Sequence, residues 1–241
     1  MLKQVQHEGY YNFYLSEENT TMKTAIILGA TGLTGGFLLD KLLKDPQYEK
    51  VKLFSRSSIG FKHEKLEEHL IDMFELKDQK ENFHADEVFC CIGTTKSKTP
   101  DKETYKKIDF GIPVNAARLC RENGISTFLV ISALGADANS SMFYNKVKGE
   151  MQHEVLEQCI KNTYIFQPSL ISGDREEERF FENLGIKTFK ILNPLLLGSF
   201  KKYRSIHPKT IAKAMLVCAK NGYPKILIES DEIQEIASAN N

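Results

Sequence analysis

Lys23 to Gly36 reads KTAIILGATGLTGG, and this stretch decides the fold. A short apolar run, Ala25 to Leu28, stops at Gly29, and glycines recur at Gly32 and Gly35. Directly behind them Phe37, Leu38, Leu39, Leu42 and Leu43 repeat at the spacing of one helical face. The order is strand, glycine-rich turn, helix. Gly29 permits the tight turn, Gly32 removes a side chain that would hold the backbone away from a pyrophosphate, and Gly35 lets helix and strand pack closely. The amides opening the helix then face an anion, and the helix dipole favours negative charge there. Three glycines alone are a weak signal. Flanked by this strand and this helix, they read as a dinucleotide-phosphate cradle rather than a structural turn.

Working outward, 241 residues fit a single domain of this kind. With 41% hydrophobic and 27% charged residues the chain has a globular composition, not a disordered one. Lys plus Arg and Asp plus Glu both number 32, so the charge balance gives no reason to expect nucleic acid or an anionic membrane as a partner. No run reaches the roughly 18 to 20 apolar residues of a membrane span. The five cysteines are odd in number, lack paired metal-type spacing and read as reduced thiols of a cytoplasmic protein, with Cys90 and Cys91 as core residues. The first 21 residues, polar and tyrosine-rich, do not match the rest and lack a signal peptide's apolar core. They read as an extension outside the core, disordered or, in the alternative, an added strand or helix on the surface. The domain then runs over 22–241.

Further along, Val51 to Phe54 forms a second strand ending at Arg56, 21 residues past Gly35. At this place NAD sites carry an acid for the ribose 2′-hydroxyl and NADP sites a cation. Arg56, with serines beside it, suits a 2′-phosphate and favours NADP over NAD, the bland alternative being a solvated surface charge. Leu70 to Met73 reads as a third strand, placing Asp72 either near an adenine amino group or as the cap of a short helix. Asp86 to Ile92 is a continuous apolar strand stopping at Gly93 and Thr94, where a ligand lies in an open α/β sheet. Lys96 and Lys98 belong to a basic loop beyond it. A helical region from Pro100 to Glu122 leads to a fifth strand, Thr127 to Ile131, ending at Ser132. Strands alternating with helices imply an α/β fold with a doubly wound parallel sheet.

Tyr144 and Lys148 stand four apart in a helical pattern and share one face. An ammonium beside Tyr144 favours the phenolate and lowers its pKa. Ser132, 12 residues earlier, can hold the same substrate oxygen. Together they form a carbonyl-reducing set: Ser132 positions the oxygen, Tyr144 supplies the proton, and Lys148 tunes Tyr144 and binds the ribose beside the nicotinamide. A lone Tyr-x-x-x-Lys means little; its place behind a nucleotide turn gives it weight.

GATGLTGG, the strand ending in Ser132 and YNKVK resemble the short-chain dehydrogenase/reductase superfamily in its atypical or extended branch. CIGTTKSK, YNKVKGE and FQPSLISGDRE look like the Tat-interacting oxidoreductase subgroup, whose members bind NADPH. The resemblance implies an NAD(P)-binding Rossmann fold, the catalytic set Ser132, Tyr144 and Lys148, and cofactor contacts at Gly29, Thr31, Gly32, Leu33, Thr34, Gly35 and Arg56, with Gly93 and Thr94 completing the cleft. Two departures stand out. Asp109 occupies a place where many relatives carry an Asn of a proton relay, or else it caps its helix. Gln167-Pro168-Ser169 replaces the usual Arg-Pro-Gly.

After the sixth strand, Tyr164 to Phe166, a polar loop from Ile171 to Arg179 borders the substrate side in this fold. Phe180, Phe181, Leu184 and Leu192 to Leu197 add apolar surface for packing or self-association, in a small C-terminal substrate-side region. His207 before Pro208 reads as a helix start rather than a base. Lys225 to Ile228 reads as a late strand. The expectation is an NADP-dependent oxidoreductase of a small carbonyl or alcohol. A homodimer or a protein partner is left open. The rival readings are an NADPH-binding regulatory or scaffold protein with little catalysis, and an NAD-dependent epimerase-like enzyme.

Overall fold

The computed structural model describes residues 22–172, 196 and 198–239. The expected N-terminal extension, the loop beyond Ser172 up to Arg179, Phe180, Phe181, Leu184 and most of Leu192 to Leu197 lie outside the described residues. The strands are β1 (Lys23–Leu28), β2 (Tyr48–Ser55), β3 (Leu66–Leu70), β4 (Glu87–Cys90), β5 (Thr127–Ile131), β6 (Asn162–Gln167) and β7 (Leu227–Glu229). They pair in parallel as one sheet in the order β3-β2-β1-β4-β5-β6-β7. The helices are α1 (Leu33–Lys44), α2 (Lys102–Lys106), α3 (Ile112–Glu122), α4 (Phe143–Leu156), α5 (Pro208–Asn221) and α6 (Ser230–Ala239).

Alternation along β1 builds two cores. Ala25 and Ile27 join Leu38, Leu42, Ile211, Met215 and Ile233 on the face covered by α1, α5 and α6. Ile26 and Leu28 join Val114, Ala117, Met151 and Val155 under α3 and α4. Each fully buried Leu or Ile contributes about 1.5–3 kcal/mol, so burial on both faces drives the layering. Strand order reverses between β1 and β4. In such sheets that crevice, at the carboxyl ends of the strands, receives the ligand.

Several boundaries differ from expectation, β2, β4 and β6 by a few residues at their ends and three others as follows. β3 is Leu66–Leu70, not Leu70 to Met73. As an edge strand it is only half-buried and reads LEEHL, while Met73 and Leu76 are buried in a 3-10 turn, Met73–Gln79. β7 begins two residues later than the expected Lys225. The helical region after Pro100 is broken by a π turn, Lys107–Gly111, between α2 and α3. At the amino-terminal ends of the strands, buried Glu87 accepts a hydrogen bond from the Tyr48 hydroxyl at 2.5 Å and pairs with Lys23. Burial, then the Glu87 charge, drives the Tyr48 hydroxyl far above its usual pKa.

Candidate active site

Gly29 ends β1 with φ +86, and a Cβ there would stand 3.0 Å from the Cys91 carbonyl carbon and oxygen. A Cβ on Gly35 would lie 2.1 Å from the Gly29 oxygen, so α1 sits against the turn at a distance only glycine allows. The Gly32 amide donates to Gly29 O at 3.0 Å, closing the turn. No side chain caps α1 at Gly32, and its first turn holds no acid. Thr31 and Gly32 are exposed, Leu33 is half-buried and Thr34 is buried. This open, uncapped and acid-free helix start fits a pyrophosphate.

At the carboxyl end of β2, Arg56 is exposed directly after the strand, and no described residue pairs with it. Glu68 holds the following loop by accepting from Ser58 Oγ (2.8 Å) and from the Ile59 amide (2.7 Å). Asp72 is exposed and caps the 3-10 turn, its Oδ1 accepting from the Phe74 amide at 2.9 Å. The capping half of its double reading is therefore what the chain itself uses.

At the centre of the sheet, β4 and β5 deliver Gly93–Thr94 and Ser132 to the crevice. Lys148 and Asp109 are buried together, with Lys148 Nζ 2.7 Å from Asp109 Oδ1. Asp109 Oδ2 accepts the Thr94 amide at 2.8 Å, and Lys148 Nζ donates to Ile131 O at 3.4 Å. A Cβ on Gly93 would lie 3.7 Å from Asp109 Oδ1 and 3.9 Å from Lys148 Nζ, so this turn lies directly against the pair. Asp109 is not a cap. It lies inside the π turn, a distortion that recurs at functional sites and here carries a carboxylate to Lys148. Thr94 and Thr99 hydroxyls meet at 2.9 Å, and the Tyr105 hydroxyl donates to Thr94 O at 3.3 Å. Tyr144 stands beside Tyr105, the ring centroids 6.3 Å apart and edge to face.

The Tyr144 pKa is raised, against the expected lowering. The residue is 40% exposed as a whole, yet burial of the phenol among its neighbours is the largest cause. Asp109 adds to the rise, and only the Lys148 ammonium opposes it. Lys148 acts in the expected direction, but a carboxylate 2.7 Å away offsets its charge. Lys148 is itself raised: burial favours the neutral amine, and Asp109, then Tyr144, override it.

Gln152 and Gln167 are polar members of this site that spacing alone did not single out. Gln152 Nε2 donates to Ser132 Oγ at 2.6 Å, and Gln167 Nε2 donates to Gln152 Oε1 at 3.3 Å. The signal was present for Gln152, which follows Tyr144 and Lys148 at intervals of four on α4. Lys96 and Lys98 are exposed in the turn beyond Thr95. His207 caps α5, its Nδ1 accepting from the Lys209 amide at 3.1 Å, as its place before Pro208 implied. Cys90 is buried and Cys91 half-buried; burial pushes the Cys90 thiol up to about 12. All five cysteines are free thiols.

Residues 24–109 match the family model described as semialdehyde dehydrogenase, NAD binding domain. The chain is similar to Protein HTATIP2 of Rattus norvegicus, 31% identical over 198 residues that cover 80% of each protein. It is also similar to Protein FMP52-1, mitochondrial, of Scheffersomyces stipitis, 30% identical over 70% of this chain and 77% of that one. Among solved structures, the Bordetella bronchiseptica enzyme WbmH in complex with NAD+ superposes with a TM-score of 0.64 at 13% identity, over 90% of this chain and 80% of that one. That likeness is one of fold, the NAD(P)-binding Rossmann fold. No helix among the described residues is long and apolar enough to cross a membrane.

Proposed function

We propose that this chain, which belongs to the family of Protein HTATIP2 and the FMP52 proteins, is an NADP-dependent oxidoreductase of the short-chain dehydrogenase/reductase type acting on a small carbonyl or alcohol. The observation that supports the reading is Lys148 Nζ donating to Ile131 O, the residue before Ser132, with Tyr144 one helical turn away on α4 and close enough to feel the ammonium. Bound NADPH supplies a hydride for the carbonyl carbon. The protein's part is acid–base and positional. Tyr144 donates its phenolic proton to the carbonyl oxygen as the alcohol forms. Ser132 holds that oxygen by a hydrogen bond. Lys148, anchored by Asp109, would hold the ribose beside the nicotinamide. Gly29, Thr31, Gly32, Leu33, Thr34 and Gly35 would hold the pyrophosphate, and Gly93 and Thr94 would complete the cleft.

Arg56 supports NADP over NAD, since an exposed guanidinium without a described partner suits a 2′-phosphate, whereas the WbmH structure carries NAD+. Asp72 retains one carboxylate oxygen for an adenine amino group. A small-molecule substrate is the proposed partner, with self-association and a cytoplasmic location as further proposals; the yeast FMP52-1 is named mitochondrial. Sedimentation and imaging of the tagged full chain test the last two.

The deciding experiment is NADPH-dependent turnover of a carbonyl panel by wild type and Tyr144→Phe. Turnover lost in the variant, with NADPH binding retained, supports the assignment. Equal activity in the variant removes it. A wild type that binds NADPH and turns over nothing favours the regulatory alternative.

A further inference from the structure

Ser132, Gln152 and Gln167 form a buried polar chain, with 4%, 7% and 8% of their surfaces exposed. It joins the end of β5 to the middle of α4 and the last residue of β6. The Ser132 backbone is fixed by its amide, which donates to Phe166 O at 2.7 Å. Its hydroxyl oxygen accepts the Gln152 amide at 2.6 Å, and Gln152 in turn accepts from Gln167 at 3.3 Å. A serine hydroxyl carries one proton and two lone pairs. One lone pair is taken by Gln152, and no described residue accepts the proton. The proton is therefore left for the crevice, where a carbonyl oxygen can accept and cannot donate. Reversing the Gln152 amide alone would set its NH2 against that of Gln167, so the two amides turn together, and as placed the donors run from Gln167 through Gln152 to Ser132. Aligned hydrogen bonds of this kind polarise one another in a low-dielectric interior. A neutral amide at position 167 both reaches Gln152 and orders it.

We propose that Gln152, oriented by Gln167, is a positioning residue that holds the Ser132 hydroxyl as a hydrogen-bond donor to the substrate oxygen. The inference deepens the oxidoreductase reading and rests on it for the identity of the acceptor. The donor direction is independent of turnover.

Two measurements on the full chain test it. In 15N-labelled protein, one Gln152 Nε2 proton is expected downfield and protected from solvent exchange. It should move upfield and lose protection in Ser132→Ala. If Ser132→Ala leaves the Gln152 amide protons unmoved, the direction is wrong and the proposal falls. In the second measurement, Gln152→Met removes both donor and acceptor at similar volume. Its kcat should fall about 100-fold, the worth of one donor to a developing oxyanion. NADPH affinity should stay unchanged, and in a Ser132→Ala background the same substitution should cost nothing further. Full kcat in Gln152→Met overturns the proposal. Should the Gln152→Met chain fail to fold, the amide shift in Ser132→Ala decides for or against it. If wild type turns over no carbonyl, the oxidoreductase reading fails by itself, while the amide signal still decides the direction of the chain.

Discussion

Asp109→Asn is the sharpest probe of the site, because it removes a charge and almost no volume. Asn keeps an acceptor for the Thr94 amide, which Asp109 now satisfies at 2.8 Å. What disappears is the counter-charge 2.7 Å from Lys148 Nζ, in a place where Lys148 is 3% and Asp109 0% exposed. Removing one partner of a buried pair strands the other, at a cost of about 3–5 kcal/mol. For a domain of this size each kcal/mol moves Tm by about 2–4 °C, so a fall of about 6–20 °C is expected. The pH dependence has a definite sign. Folding raises the Lys148 pKa, so its stabilisation is complete below the ordinary lysine value of 10.5 and is lost only as pH rises through the higher folded value. In the variant the largest cause, burial, loses its main opponent Asp109 and pulls that pKa down against Tyr144, so Lys148 sheds its proton at lower pH. The stability gap between wild type and variant should therefore narrow as pH is raised. Urea unfolding at pH 7 and pH 9.5 measures it. The exposed pair Lys44–Asp40 is the control, where Asp40→Asn should change stability by no more than about 0.5 kcal/mol. A gap for Asp109→Asn below about 1 kcal/mol, or one that widens with pH, would refute the reasoning.

The same variant should shift the pH–rate profile of alcohol oxidation to lower pH wherever Lys148 stays charged, since Asp109 raises the Tyr144 pKa and Lys148 lowers it. Arg56→Ala should weaken NADPH by roughly 10- to 100-fold and leave NADH nearly unchanged, as one charge-assisted contact is lost; equal effects on both dinucleotides, read by titration, would remove the NADP preference. Gly35→Ala should abolish dinucleotide binding and cost about 1–3 kcal/mol in a denaturant melt, because its Cβ would stand 2.1 Å from Gly29 O. Cys159 is exposed with φ +52, so Cys159→Gly should raise stability by about 0.5–1 kcal/mol. Cys159 should also be the thiol a labelling reagent reaches first in the native protein, ahead of the buried Cys90, Cys120 and Cys218.

The cradle was legible because its requirements are local. The strand, its glycine turn and the helix lie within the twenty-two residues from Lys23 to Lys44, and Gly29 and Gly35 answer backbone needs that no other residue meets. The central strands were legible because burial on both faces leaves an unbroken apolar run, as in Thr127–Ile131. The edge strand β3 was misplaced for the converse reason: a strand with one open side need not be apolar, and the apolar residues after it serve a turn instead. The π turn was not singled out although Gly111 closes it and Pro113 follows, because a glycine and a proline there equally fit the ordinary start of a helix.

The amino-acid order by itself determined the α/β class, the glycine-rich turn between β1 and α1 and the spacing that sets Tyr144, Lys148 and Gln152 along one helix. These depend on residues within a few turns of one another. Only the tertiary structure decided how the set is tuned. Asp109 lies 39 positions from Lys148 and Gln167 lies 35 from Ser132, and no local spacing relates them. Packing of β4, β5, β6 and α4 brings a carboxylate against the lysine and an amide against the serine. The glycine turn says where a dinucleotide would sit. The buried pair and the glutamine chain, which exist only once the sheet is closed by its helices, set the charge on the lysine and the direction of the serine's proton.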